Sequence, residues 1–204
     1  MKTFYNIIGL YLLVFSSLVF GREIIKYEHS QSKVISRSFP VNSDAKLVVN
    51  NKYGNIKVEH WNRNQIDVEV RIEVSARDQQ MAVKRLNDIE VKFSNSKSEV
   101  SATTEISSSS GRNISFEIHY LVKIPTNAKV QLSNHYGDIL GDNFTNETYF
   151  LVKYGRLNLG SLKHKTNRIL MQYSKNSSIQ NINEAAVNAD YSDLSLDKAN
   201  KMNM

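Results

Sequence analysis

Hydrophobic and polar residues alternate along most of this chain, and in its second half a tyrosine interrupts the alternation at near-constant intervals. Val130-Gln-Leu-Ser-Asn-His-Tyr136-Gly137-Asp-Ile139 is followed by Phe150-Leu-Val-Lys-Tyr154-Gly155-Arg-Leu157-Asn-Leu159. The phrase returns as Ile169-Leu-Met-Gln-Tyr173-Ser174 and Val187-Asn-Ala-Asp-Tyr191-Ser192-Asp-Leu194-Ser-Leu196. The tyrosines stand 18, 19 and 18 residues apart, a fixed period that marks a repeat architecture. An earlier copy, Leu47-Val-Val49-Asn-Asn-Lys-Tyr53-Gly54-Asn-Ile56-Lys-Val58, precedes them.

Aligned on the tyrosines, the copies share apolar places. Four residues before stand Val49, Leu132, Phe150, Ile169 and Val187; three after stand Ile56, Ile139, Leu157 and Leu194. Five after come Val58, Leu159 and Leu196, and eight after come Trp61, Phe144, Leu162 and Ala199, with Gly141 as the one break. The Tyr173 copy fits with one inserted residue, which aligns Ile179 and Ile182 and which a bulge would absorb. By parity the place four before shares a face with the tyrosine, whereas the places after it belong to the opposite face. The chain must therefore turn in between. Gly54, Gly137 and Gly155 stand there, and glycine reaches positive φ at no steric cost, so these three are expected to be the structural bends. Ser174 and Ser192 replace glycine in the later copies. Each copy then reads as strand, bend, strand, turn. One such coil cannot bury its own apolar side, so the coils must stack into a β-solenoid and the tyrosines must form an aromatic ladder.

Outside the repeats, Arg22 to Phe39 reads as an N-terminal strand or arm ending near Pro40. Ile66 to Val74 alternates strictly and predicts a half-buried strand. Met81, Ala82, Leu86 and Ile89 follow helical spacing after the capping candidates Ser75 to Asp78, which predicts one short helix. Alternation resumes over 89–93, 100–106 and 114–124, with a Ser/Gly-rich turn at 107–113. These segments predict hairpin-connected strands between the first repeat and the later four.

Residues 1–21 break this pattern. Lys2 precedes an almost unbroken apolar run, Ile7 to Phe20, shorter than the ~20 residues of a spanning helix. Val19 and Gly21 are small enough for signal peptidase. We therefore expect a signal peptide over 1–21, a single domain over 22–204, no membrane span after cleavage, and export to the periplasm, cell surface or medium. The net charge of +6 is scattered through the chain, unlike the clustered basic face of a nucleic-acid binder. There is no cysteine, hence no disulfide framework and no thiolate metal site.

Catalytic signals are sparse. The five histidines, His29, His60, His119, His135 and His164, form no metal-binding pair, and no cofactor is expected. A polysaccharide hydrolase or lyase would need paired carboxylates on one face. The candidates are Asp138, Asp142, Asp190, Asp193 and Asp197, and stacking would hold Asp138 and Asp193 about 14 Å apart. No catalytic residue is assigned. Tyr136, Tyr154, Tyr173 and Tyr191 are the candidate ligand contacts, since aromatic rows can stack on sugar rings; the competing role for them is architectural.

The phrase Asn51-Lys-Tyr53-Gly54-Asn-Ile56-Lys-Val58, an alternating strand, a short helix and the later Tyr-Gly and Tyr-Ser coils behind a signal peptide together resemble a known family. They look like the putative-adhesin β-strand-repeat domains of exported bacterial proteins, over about Lys46 to Ala199. The resemblance implies a right-handed β-solenoid or β-helix-like fold, an envelope or surface location and no established catalytic residue. The expected role is a non-enzymatic adhesin or envelope binding scaffold. Its partners would be a glycan, an envelope polymer or another surface protein. The given sequence ends at Lys201-Met-Asn-Met204, just after the Tyr191 copy finishes, so the last coil is expected either to continue in further residues or to pair edge to edge with a second copy in a homodimer.

Overall fold

The computed structural model describes residues 27–107 and 113–203. The expected signal peptide and residues 108–112 of the Ser/Gly-rich turn lie outside them. The described chain is mostly β with one helix, and its strands belong to one continuous sheet that curls into a nearly closed, barrel-like form.

Two parallel ladders carry the repeats. The strand before each tyrosine joins the first: β2 (Lys46–Lys52), β8 (Lys129–His135), β10 (Thr148–Lys153), β12 (Asn167–Gln172) and the second half of β13 (Ser177–Asp190). The strand after each tyrosine joins the second: β3 (Ile56–Trp61), β9 (Ile139–Gly141), β11 (Leu157–Leu162), the first half of β13 and β14 (Leu194–Asn203). The register matches the sequence alignment. Val49, Leu132, Phe150, Ile169 and Val187 are direct neighbours across the first ladder. Along the second, Leu159 sits beside Ile179 and Ile179 beside Leu196. Slipping any strand by one residue would turn its apolar set outward, so burial itself holds the register. The places before the tyrosine are fully buried, as are Ile56, Ile139 and Leu157 after it, whereas Leu194 and Leu196 in the last strand are only half-buried.

The residue inserted in the fourth copy sits in the bend. Leu159 is paired with Ile179, and the extra position is taken up around Asn176, which has φ 57°. Gly141 has its own packing reason. A Cβ there would lie 2.8 Å from the Phe144 ring, which occupies that space and meets Phe150 edge-on at 5.4 Å.

The remaining strands close one end. β4 (Gln65–Ala76) runs antiparallel to both β1 (His29–Pro40) and β7 (Ile114–Pro125), and β7 also pairs in parallel with β3. β5 (Ile89–Asn95) and β6 (Glu99–Ile106) form a hairpin whose second strand pairs in parallel with β2. β1 and β5, the two ends of the sheet path, approach each other: Phe39 and Phe93 lie 6.0 Å apart, and Lys33 donates to the Ile89 carbonyl at 3.1 Å. The helix α1 (Gln79–Asn87) packs over β1 and β4 at this end. Asp78 is its N-cap, accepting from the Met81 amide at 2.8 Å, which satisfies one of the orphan donors of a helix start.

Candidate functional site

The tyrosine ladder is the most regular feature of the surface. Tyr53, Tyr136, Tyr154, Tyr173 and Tyr191 stack face to face, with centroids 5.0–5.1 Å apart and ring planes within 6° of parallel. Each tyrosine N–H before the last donates to the carbonyl of the residue preceding the next tyrosine, from Tyr53 to His135 at 2.8 Å through Tyr173 to Asp190 at 3.0 Å. Backbone pairing therefore runs straight through the bend and sets the ring spacing. The rings lie outside the core. Exposure rises from 42% at Tyr136 to 77% at Tyr191.

The bend differs from expectation in which residue makes it. All five tyrosines have positive φ, between 49° and 63°. This left-handed residue rotates the chain, so the tyrosine leaves the face it would share with Val49 or Leu132 and points to solvent. Of the three glycines only Gly54 has positive φ, at 149°. Gly137 and Gly155 are required by space instead. A Cβ on Gly137 would stand 1.9 Å from the Gly54 carbonyl oxygen, and one on Gly155 would stand 1.9 Å from that of Gly137. A left-handed non-glycine residue costs about 1–2 kcal/mol, while each stacked aromatic pair returns about 0.5–1.5 kcal/mol. An inner tyrosine has two such neighbours, so stacking is of the right size to offset its backbone strain.

Beneath the first two bends sit buried amides. Asn51 donates to the Ile118 carbonyl at 2.9 Å, and Asn134 donates to the carbonyls of Gly54 at 2.7 Å and Asp138 at 3.1 Å. The Thr104 hydroxyl donates to Asn51 and lies 2.8 Å from the Tyr120 hydroxyl. Burial pushes the Tyr120 phenol up to about 12, against the opposing effect of its hydrogen bond with Thr104.

Two polar rows flank the rings. In register just before them run Lys52, His135, Lys153, Gln172 and Asp190. The His135 imidazole is held below its ordinary pKa, first by burial and then by the charges of Lys153 and Lys52. Two residues after the rings, side chains brace one coil to the next. Asn55 Oδ1 accepts the Asp138 amide, and Asp138 accepts the Arg156 amide, both at 2.9 Å. Arg156 also grips Asp138 Oδ2 through Nε and Nη2 at 3.1 and 2.7 Å. Asp193 braces in the reverse direction, accepting the amide of Asn176 from the preceding coil. Asp138 and Asp193, considered above as catalytic candidates, are thus engaged with the backbone of neighbouring coils.

The stacking also limits what the tyrosines can offer a ligand. Each inner ring has both faces covered by its neighbours, and Tyr53 makes a T-shaped contact with Phe116 at 5.1 Å. Tyr136, Tyr154 and Tyr173 therefore present ring edges and hydroxyls, while Tyr191, 77% exposed, has a stacked neighbour on one face only among the described residues.

A second feature escaped the sequence pattern. A polar groove of about 520 Å³ lies over β3, β9 and β11, lined by Lys57, Glu59, His60, Leu140, Asp142 and Asn158. Lys57 pairs with Glu59 at 2.9 Å. His60 rests edge-on against Phe144 at 4.9 Å, and its buried Nε2 has no hydrogen-bond partner among the described residues. Burial lowers the His60 pKa, with Asp142 acting in the opposite sense. Lys57, Leu140 and Asn158 come together only through the register, so no local motif announces the groove. Among the described residues no cluster of three or more His, Asp or Glu could hold a metal.

No family model matches the chain. No curated protein matches it either. Among solved structures it is similar to a protein described as a putative cell adhesion protein from Clostridium sporogenes, with TM-score 0.43, 12% identity, and coverage of 77% of this chain and 73% of that one. A putative adhesin from Parabacteroides distasonis gives TM-score 0.39 and 10% identity over 83% of this chain and 76% of that one. A putative adhesin from Bacteroides fragilis gives 0.31 and 14% over 84% and 97% respectively.

Proposed function

We propose that this chain is an exported, non-enzymatic adhesin or envelope scaffold, built as a right-handed β-solenoid whose outer surface binds a glycan or another envelope polymer. The solenoid reading rests on the two parallel ladders, each gaining one strand per copy and meeting in the continuous strand β13. Right-handed winding follows from the strong preference for that hand in parallel crossovers. Export rests on the leader-like pattern of residues 1–21. No helix among the described residues is long and apolar enough to cross a membrane.

The observation that carries the binding reading is the exposed row of tyrosine hydroxyls beside Lys52, His135 and Lys153. With the ring faces covered, recognition uses hydroxyl hydrogen bonds and the basic row rather than stacking, which favours a hydroxyl-rich, anionic polymer. The non-enzymatic reading is supported by the bracing roles of Asp138 and Asp193.

A glycan and envelope-polymer binding screen tests this. Saturable binding that weakens in Tyr154→Phe and Lys153→Ala, with folding intact, is the expected result. Uniform failure to bind, or cleavage of a polysaccharide by the purified protein, would overturn it. Recovery of the native protein from the cytosol with residues 1–21 attached would overturn the export reading.

A further inference from the structure

The positive charge beside the tyrosines is confined to one stretch of the first ladder. Lys52, His135 and Lys153 stand in register on the adjacent strands β2, β8 and β10. The two lysines are thus two strand spacings apart, about 10 Å, with His135 between them. Other lysines on the ladders are matched by a partner. Lys129 lies 3.9 Å from Glu147, Lys46 donates to Gln131 at 2.7 Å, and Lys57 pairs with Glu59 at 2.9 Å. Neither Lys52 nor Lys153 has an ion-pair partner among the described residues.

Like charges held together without a carboxylate repel, and a bound oxyanion relieves that repulsion. Burial first, and then the charges of Lys153 and Lys52, hold the His135 imidazole below its ordinary pKa. The acidic groups that share this surface are engaged elsewhere: Glu147 near Lys129, Asp138 past the bend with Arg156 at 2.7 Å, and Asp190 along the row with Gln172 at 3.3 Å. Each lysine carries a compact charge on a flexible four-carbon stem, so both can close on one group seated over His135. The tyrosine that follows each of the three, Tyr53, Tyr136 and Tyr154, supplies a hydroxyl alongside. The hydroxyls continue to Tyr173 and Tyr191, whereas the flanking row turns neutral at Gln172 and negative at Asp190. A polymer charged at every unit would be repelled there. A chain of neutral, hydroxylated units with a widely spaced acidic one suits both halves of the row.

We infer that Lys52, His135 and Lys153 form a seat for one carboxylate of an acidic sugar, flanked along the tyrosine row by neutral sugars of the same chain, and that the seat tightens on acidification. This rests on the glycan-binding reading above and names the charge pattern of the ligand and the residue that senses pH. A sugar carboxylate stays ionised above about pH 5. Seated over His135 it stabilises the imidazolium, so His135 titrates higher in the complex than in the free protein. Between those two values binding takes up a proton, and the seat goes from two positive charges to three. Affinity therefore rises as pH falls through the bound value and levels off below the free one, which lies under about 6.5.

Three oligosaccharides test this: one with a single glucuronate among neutral sugars, the same chain with that carboxylate reduced to the alcohol, and a fully charged oligogalacturonate. In calorimetric titrations the single-glucuronate chain should bind about threefold or more tightly than its reduced form, the scale of exposed ion pairs, and the margin should widen from pH 7.5 to pH 5.5. Lys52→Gln and Lys153→Gln should each remove most of that margin, and His135→Gln should flatten its pH dependence, with circular dichroism confirming that all three fold. The His135 ring resonances should titrate at higher pH in the complex. Equal binding of the glucuronate and reduced chains, an unmoved His135 titration, or tighter binding of the oligogalacturonate overturns the seat and leaves the glycan reading in place. If none of the three binds, the glycan reading fails instead. Sodium sulfate raising the His135 pKa above its value in sodium chloride at equal ionic strength would then support the oxyanion seat by itself, and the absence of that rise would overturn it too.

Discussion

At the scale of single residues, the bend separates two requirements that a Tyr-Gly pair makes look like one. The tyrosine supplies the left-handed φ, and the glycine after it supplies absence of volume where one coil passes the next. Gly155→Ala therefore tests space alone. Its methyl would meet the Gly137 carbonyl oxygen at 1.9 Å, a contact only backbone movement can relieve, and the expected loss is about 3 kcal/mol or more by urea denaturation, at the upper end of overpacking costs. A neutral result would mean that the coils separate without penalty. Tyr154→Asn and Tyr154→Val test the other half. Both lose the stacking, but asparagine tolerates the left-handed region and a β-branched residue does not, so Val should be the less stable of the two. The histidines add a pH dependence. His60 and His135 both have folded-state values below the ordinary one, so the unfolded chain takes up protons first as the medium is acidified. Stability should thus fall as pH drops through about 6.5, the unfolded value, and level off once the folded groups also protonate. Melting temperatures measured from pH 8 to pH 5 should show this decline, reduced in His60→Gln.

At the scale of elements, much of the molecule was legible because burial has a simple period. The places four before and three and five after the tyrosines were readable as core in the first three copies, and the registers of both ladders agree with them, whereas Leu194, Leu196 and Trp61 are only half-buried and Ala199 is exposed. The helix α1 was legible too, because an Asp cap and helical spacing are local signals. What was not legible depends on contacts between coils. Asn51 and Asn134 sit in a row that later copies fill with Val152 and Met171. Their amides bond carbonyls presented by other segments, which no single stretch of sequence reveals. Likewise β7 reads only as a long alternating strand, yet it is the joint where a parallel neighbour and an antiparallel one meet. The groove at His60 needs three strands at once. The Asp138 brace shows the energetics at this scale. Asp138→Asn keeps an acceptor for the Arg156 amide and loses only a partly exposed ion pair, so it should cost within about 1 kcal/mol. Asp138→Ala removes the side-chain acceptor from that half-buried N–H and should cost about 1–3 kcal/mol. Equal effects in thermal unfolding of the two variants would show that charge, rather than the coil-to-coil hydrogen bond, is what Asp138 contributes.

At the scale of the whole molecule, the two ends of the stack differ in how completely they are covered. One end carries β4 and β7 joined to β1, with α1 packed over β1 and β4 and Arg85 lying 5.0 Å over the Phe116 ring that contacts Tyr53. The other end thins to β14, where core residues lose full burial and Tyr191 has a stacked neighbour on one face only among the described residues. In a stack whose copies mainly contact their neighbours, stability is a sum of nearest-neighbour terms, so a copy with one neighbour opens more readily than a copy with two. Amide hydrogen exchange should therefore grade along the molecule. The amides of Leu194–Asn203 should exchange first, those of β12 and β10 later, and those shared by β4 and β7 at the rate of global unfolding. Uniform exchange along the stack would instead mean that the sheet unfolds as one cooperative body, with the open end held as firmly as the capped one.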